Sequence, residues 1–222
     1  MYRATVTGPG GGSLSVRYRP ISPALLVSEL TERITAITGR RRIAVAVDGA
    51  AGATNTTELA DALVDPLRIA GHAALRISAN DFLRPASLRF ERGKEDPDSR
   101  YSDWLDLGAL RREVLDPLAE GGSGRVLPSL WDPVRDRATR AERVELPEGG
   151  VVLVDGEFLY GAGLAFDLSV HLWLSPSALK RRVPDEWALP AYERYEQEVD
   201  PVALSDVVIR VDDPNHPARY EP

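Results

Sequence analysis

Cysteine is absent from the 222 residues, which excludes a disulfide frame and any thiolate metal site. Histidine is scarce: His72, His171 and His216 are too scattered for a histidine cluster, so any catalysis has to rest on carboxylates, hydroxyls and arginines, with or without a hard cation. Lysine is nearly absent too. Arginine outnumbers it 25 to 2, only Lys94 and Lys180 being present, and with abundant alanine this reads as the usage of a GC-rich bacterial genome. Long apolar runs are lacking: IAVAV and VVLV fall far short of the roughly 20 residues that span a bilayer. The N-terminus shows no signal-peptide pattern, so a cytoplasmic protein without membrane attachment is expected. A net charge of -7 argues against a nucleic-acid partner, which would need a clustered basic face, and favours a small neutral or metal-bound ligand.

What is present reads as one α/β domain with an N-terminal appendage. ATVTGPGGGSLSVRY sets two β-prone runs around a glycine-rich turn, the pattern of a hairpin or arm. Ser22 and Pro23 then offer an N-cap and a first helical position. Leu26, Leu30, Ile34 and Ile37 recur at helical spacing, so this helix should lay an apolar stripe on the main body. The division is an arm and helix over residues 1–40 and a body over 41–222. The body alternates: strand 42–48, helix 56–70, strand 73–78, helix 107–119, strands 151–155 and 168–174, short helices between 176 and 198, and strand 206–211. Near-continuous apolar strands alternating with helices indicate a three-layer arrangement, a mostly parallel sheet covered on both faces. Ligands on such sheets bind at the carboxyl ends of the strands, so chemistry is expected in the loops after residues 48, 78 and 155.

The first of these loops, in VAVDGAAGATNTTELADAL, has the register of a nucleotide phosphate-binding loop between a strand and a helix. Gly49 is its first glycine, Gly52 lies inside it, and Thr56 takes the position of the metal-binding hydroxyl, followed by Thr57. However, Thr54 stands where the second glycine belongs and Asn55 where the lysine belongs. Asparagine supplies no positive charge to a transferring phosphoryl group, and threonine restricts a backbone position that approaches the phosphate closely. Taken alone, the loop also reads as an ordinary turn capped by Thr54 or Asn55.

Further segments, LRISANDFLRPASLRFERGKEDPDSRYSDWLDLGALRREVLDPL, VVLVDGEFL and LSDVVIRVDDPNHP, give the chain from about 40 to 217 the look of the uridine kinase family of P-loop nucleoside kinases. The resemblance implies a P-loop NTPase-like fold, magnesium with ATP or GTP as the phosphoryl donor, and a nucleoside as the small-molecule substrate. By that resemblance Asp81 accepts the substrate hydroxyl proton, a role that a carboxylate just past a strand end also suits on its own. Asp155 and Thr56 are the metal ligands, and Gly49, Gly52, Thr54, Asn55, Thr56 and Thr57 form the phosphate loop. Arg84, Arg89, Arg92, Arg100 and Tyr101 lie on the segment covering the nucleoside, and Trp131 and Asp132 fall where base and sugar are contacted. Lys180, Arg181 and Arg182 are what remains of an arginine-rich lid, which Pro184 cuts short.

Two readings follow, a phosphotransferase of this type and a non-catalytic pseudokinase that holds a nucleotide, nucleoside or protein partner. A third use, a homodimer contact through the N-terminal arm and helix, is left open.

Overall fold

The computed structural model describes residues 2–6 and 14–221. Strand β3 (Ile43–Gly49) is buried at every position. Its alternation explains why: Val45 and Val47 enter one core, while the smaller Ala44 and Ala46 enter another on the opposite face. Helix α1 (Pro23–Thr35) and helix α2 (Thr56–Ile69) close the first face, with Leu26, Leu30, Ile34, Leu63 and Leu67 buried between them and the sheet. The apolar stripe read on α1 is thus consumed inside the chain. Ser22 caps α1 as expected, its hydroxyl accepting from the Leu25 amide at 3.2 Å.

The remaining strands are β1 (Tyr2–Val6), β2 (Leu14–Pro20), β4 (Ala74–Ser78), β5 (Val151–Gly156), β6 (Leu168–Trp173), β7 (Val207–Arg210) and β8 (Ala218–Glu221). They form an eight-stranded sheet in the order β1-β2-β8-β7-β6-β3-β5-β4. From β7 to β4 the strands are parallel. The N-terminal arm joins this sheet, since β2 pairs antiparallel with both β1 and β8. The glycine-rich turn of the arm lies outside the described residues.

After β3 the chain runs one way through α2 to β4, and later returns to the other side of β3 to form β6. The strand order therefore reverses at β3, and a crevice opens at its carboxyl end. Helices α3 (Pro97–Asp103), α4 (Pro176–Arg182) and α5 (Leu189–Glu198) lie on the second face. The expected helix 107–119 forms as continuous helical turns over 107–118, widening to a π turn at Arg111–Leu115. Pro117 accounts for the widening, because it has no amide to donate and its ring crowds the preceding turn. The Glu113 carbonyl instead accepts from the Leu127 amide at 3.0 Å.

Candidate functional site

The loop after β3 is folded in on itself. The Ala53 and Thr54 amides both donate to the Ala50 carbonyl, at 3.1 and 2.9 Å, and the Thr54 hydroxyl donates to the same oxygen at 3.0 Å. That hydroxyl fills the concave side of the loop, for a Cβ on Gly49 would stand 2.6 Å from it. Gly52 has φ +70°, a conformation other residues adopt only with strain, and Pro184 packs against it just past the end of α4. A third loop amide, that of Ala51, points to the Glu157 carboxylate at 3.4 Å. Asn55 occupies the N-cap of α2 without a side-chain capping bond. No arginine or lysine among the described residues hydrogen-bonds to residues 49–55.

Beside the loop, at the ends of β4 and β5, four predicted and unpredicted groups meet. Asp155 is buried and accepts from the Thr57 hydroxyl at 2.8 Å. Arg76 grips the same carboxylate with two bonds, at 2.7 and 3.0 Å, and reaches the Thr57 hydroxyl at 3.2 Å. Asp81 sits on the turn Ala79–Phe82 that follows β4. Burial raises its pKa above the ordinary aspartate value, the Arg76 charge lowers it, and Asp155 and Asp132 raise it. The hydroxyl that meets Asp155 belongs to Thr57, and Thr56 is buried beside it in sequence. The cation of the site is Arg76, which the sequence reading passed over because it lies inside a strand.

No protein-family model matches this chain, and no curated protein sequence does either. Solved structures do. One described as a possible uridine kinase from Bacillus stearothermophilus superposes with a TM-score of 0.67 at 22% identity, over 82% of this chain and 96% of that one. A second, provisionally described as a fructose transport system kinase from Silicibacter sp. TM1040, gives a TM-score of 0.57 at 24% identity, over 82% and 91%. D-glycerate 3-kinase from Cryptococcus neoformans gives 0.50 at 16%, over 78% and 80%. The fold is that of the uridine-kinase-like P-loop kinases.

Within this kinase fold the other predicted residues separate. Arg89 is a correction: it is buried, its Nε donates to the Arg84 carbonyl at 2.7 Å, and its guanidinium lies over Phe90 and Trp104, so it braces the segment from within. Arg92 is exposed and Arg84 half-buried. Arg100 is nearly enclosed by Trp104, Trp187 and Tyr192 and pairs with Glu157 at 3.1 Å. Tyr101 packs edge-on to Phe158 under Arg194. Trp131 donates to Asp136 at 3.1 Å, and Asp132 accepts from the Val134 and Arg135 amides. On α4, Lys180 and Arg181 are exposed, while Arg182 donates to the Val211 carbonyl at 2.5 Å.

Glu157 is the second residue that sequence reasoning missed. Held by Arg100 and by the Tyr192 hydroxyl at 2.5 Å, its carboxylate faces the loop after β3. Its charge is compensated by the Arg100 guanidinium at 3.1 Å, so what it presents to the loop is an acceptor for the Ala51 amide.

Two of the histidines are fixed by structural bonds. His72 Nδ1 lies 2.6 Å from the Gly149 carbonyl. His171 Nδ1 lies 2.8 Å from Asp48, which is fully buried beneath the loop and also accepts from the Leu159 amide and the Tyr195 hydroxyl.

Proposed function

We propose that this chain is a kinase-like phosphotransferase that moves the terminal phosphoryl group of ATP or GTP to a hydroxyl of a nucleoside or similar small compound. The supporting observation is the convergence of Asp81, Asp155, Thr57 and Arg76 beside the loop at the switch point of a P-loop kinase fold. In this reading Asp81 orients the acceptor hydroxyl and takes its proton. Arg76 holds a fixed positive charge where charge builds up in transfer, partly offsetting the lost loop lysine.

Magnesium would supply charge neutralisation on the triphosphate oxygens, and Asp155 with Thr57 is the donor set facing that space. Both oxygens of Asp155 are bonded to Arg76 as the site stands, so the present arrangement does not fit a metal ion directly on this carboxylate. Among the described residues there is no group of three or more metal-ligating side chains. A mainly apolar cavity of about 180 Å³ lined by Asn55, Leu59, Arg182, Val211 and Pro214 is available to the base of the nucleotide.

The neighbours are described as acting on uridine, fructose and glycerate, so the fold leaves the acceptor open. The test is ADP release over a panel of uridine, cytidine, fructose and D-glycerate. Acceptor-dependent release is expected. A second reading, a non-catalytic nucleotide- or nucleoside-binding protein, is favoured by the loop that satisfies its own amides. Binding of ATP or a nucleoside without ADP release with any acceptor would establish it.

The pH dependence has a definite sign. Asp81 works as a base only when ionised, and its pKa is raised, chiefly by burial. Activity should therefore fall, as pH is lowered, at a higher pH than an ordinary aspartate would give. Arg76→Gln removes the charge that opposes this shift, so the acid limb of kcat/KM should move further up. A limb that stays in place would separate Asp81 from the titration.

A further inference from the structure

The hairpin after residue 130 carries a basic cavity that the resemblance does not explain. It is an open, polar space of about 520 Å³ lined by Asp132, Arg135, Arg137, Ala138, Thr139 and Arg140. Three guanidiniums face one carboxylate there, a local charge of +2 in a chain whose net charge is -7. Arg135 pairs loosely with Asp132 at 3.7 Å. Asp132 is already supplied by the amides of Val134 and Arg135, at 3.0 Å each. Arg137 and Arg140 have no hydrogen-bond or ion-pair partner among the described residues. Thr139 is engaged elsewhere, its hydroxyl donating to the Ser129 carbonyl at 2.7 Å.

The hairpin is fixed in place at a strained backbone. Asp136 and Arg140 have φ of 47° and 55°, a region that non-glycine residues rarely enter. The Asp136 carboxylate holds the bend by accepting from the Ala86 amide at 2.8 Å and from Trp131 Nε1 at 3.1 Å. On its inner side the hairpin is tied to the catalytic turn, since the Leu130 amide donates to the Asp81 carbonyl at 3.0 Å. Asp132 is close enough for its charge to raise the Asp81 pKa. The free guanidiniums therefore line a space that shares Asp132 with the surroundings of Asp81.

We infer that the acceptor is a small hydroxyl compound that itself carries an oxyanion, a carboxylate or a phosphate, held by Arg137 and Arg140. A guanidinium forms two parallel bonds with either group, which a neutral nucleoside cannot offer. The inference rests on the phosphotransferase reading for its chemistry. The acceptor hydroxyl oxygen forms a bond to the terminal phosphorus of a nucleoside triphosphate, the bond from that phosphorus to its bridging oxygen breaks, the hydroxyl proton passes to Asp81, and the nucleoside diphosphate leaves.

The experiment is calorimetric titration of the whole chain, without nucleotide, with D-glycerate, fructose 6-phosphate, uridine, fructose and inorganic phosphate. It is repeated for Arg137→Gln and Arg140→Gln. Both arginines are exposed, and circular dichroism confirms that the variants fold. Expected is binding of D-glycerate or fructose 6-phosphate, weakened about tenfold by each substitution, with the carboxylate and phosphate arms identifying which oxyanion is preferred. Uridine or fructose binding as tightly as the anionic compounds, or binding unaffected by the substitutions, would overturn the inference. So would inorganic phosphate binding as well as either hydroxyl compound, which would mark a general anion site. ADP release is read separately: anion binding lost with the arginines but without turnover leaves this site standing and rejects the phosphotransferase reading.

Discussion

Replacing Thr54 by glycine and Asn55 by lysine together is expected to raise acceptor-dependent ADP release by about 10² to 10³, the usual worth of one preorganised electrostatic contact in a reactive site. The loop is closed by threonine itself. Its hydroxyl and amide both donate to the Ala50 carbonyl, and the hydroxyl fills the space above Gly49. Glycine at position 54 removes the hydroxyl bond, empties the concave side and restores conformational freedom to the backbone where a phosphate approaches. Lysine at 55 returns a mobile positive charge to the start of α2. Neither change touches Asp81 or Arg76, so the acceptor side is left as it is. The check is a paired measurement of ATP affinity and ADP release for the double variant and for each single one. Separate singles with little effect and a large double effect would show that opening the loop and charging it are coupled. A double variant that binds ATP without releasing ADP would place the remaining defect in the shortened lid, where Pro184 rests on Gly52.

Asp48→Ala is expected to cost about 3–5 kcal/mol of stability, because it leaves three buried donors unpaired, at about 1–3 kcal/mol each. Asp48 has no exposure, and its two oxygens accept from the Leu159 amide at 2.9 Å, from His171 Nδ1 at 2.8 Å and from the Tyr195 hydroxyl at 3.2 Å. Alanine would leave all three donors without an acceptor in a closed space. Domains of this kind are stable by about 5–15 kcal/mol in total, so the loss is a large fraction. Asp48→Asn keeps the shape and one acceptor oxygen, and a smaller loss of about 1–3 kcal/mol is expected. Urea unfolding midpoints compare the two. Equal losses would mean that volume, and not the buried acceptor, holds β3, β6 and α5 together at this point.

The kinase-type reading and the broken loop had different visibility in the chain. Strands such as IAVAVDG and VVLVDG are apolar throughout, and α2 repeats Ala60, Leu63 and Leu67 at helical spacing, so element order and a parallel sheet could be read from local pattern alone. The position of the loop between β3 and α2 was legible for the same reason, since it is a contiguous stretch. The helix over 107–119 was legible too, but not its π turn, which Pro117 imposes.

What the sequence determined by itself is therefore the order of elements and the place of the loop after β3. What only tertiary structure decided is which charges meet. Arg76 and Asp155 are 79 residues apart, Asp48 and His171 are 123 apart, and Arg100 and Glu157 are 57 apart. The first two pairs exist because β4 lies beside β5 and β3 beside β6, and the third because α3 packs over the end of β5, an arrangement that no local periodicity encodes. A side chain inside a strand, such as Arg76, carries no sign of its partner until neighbouring strands are in register. The site's free and compensated charges are thus a property of strand order.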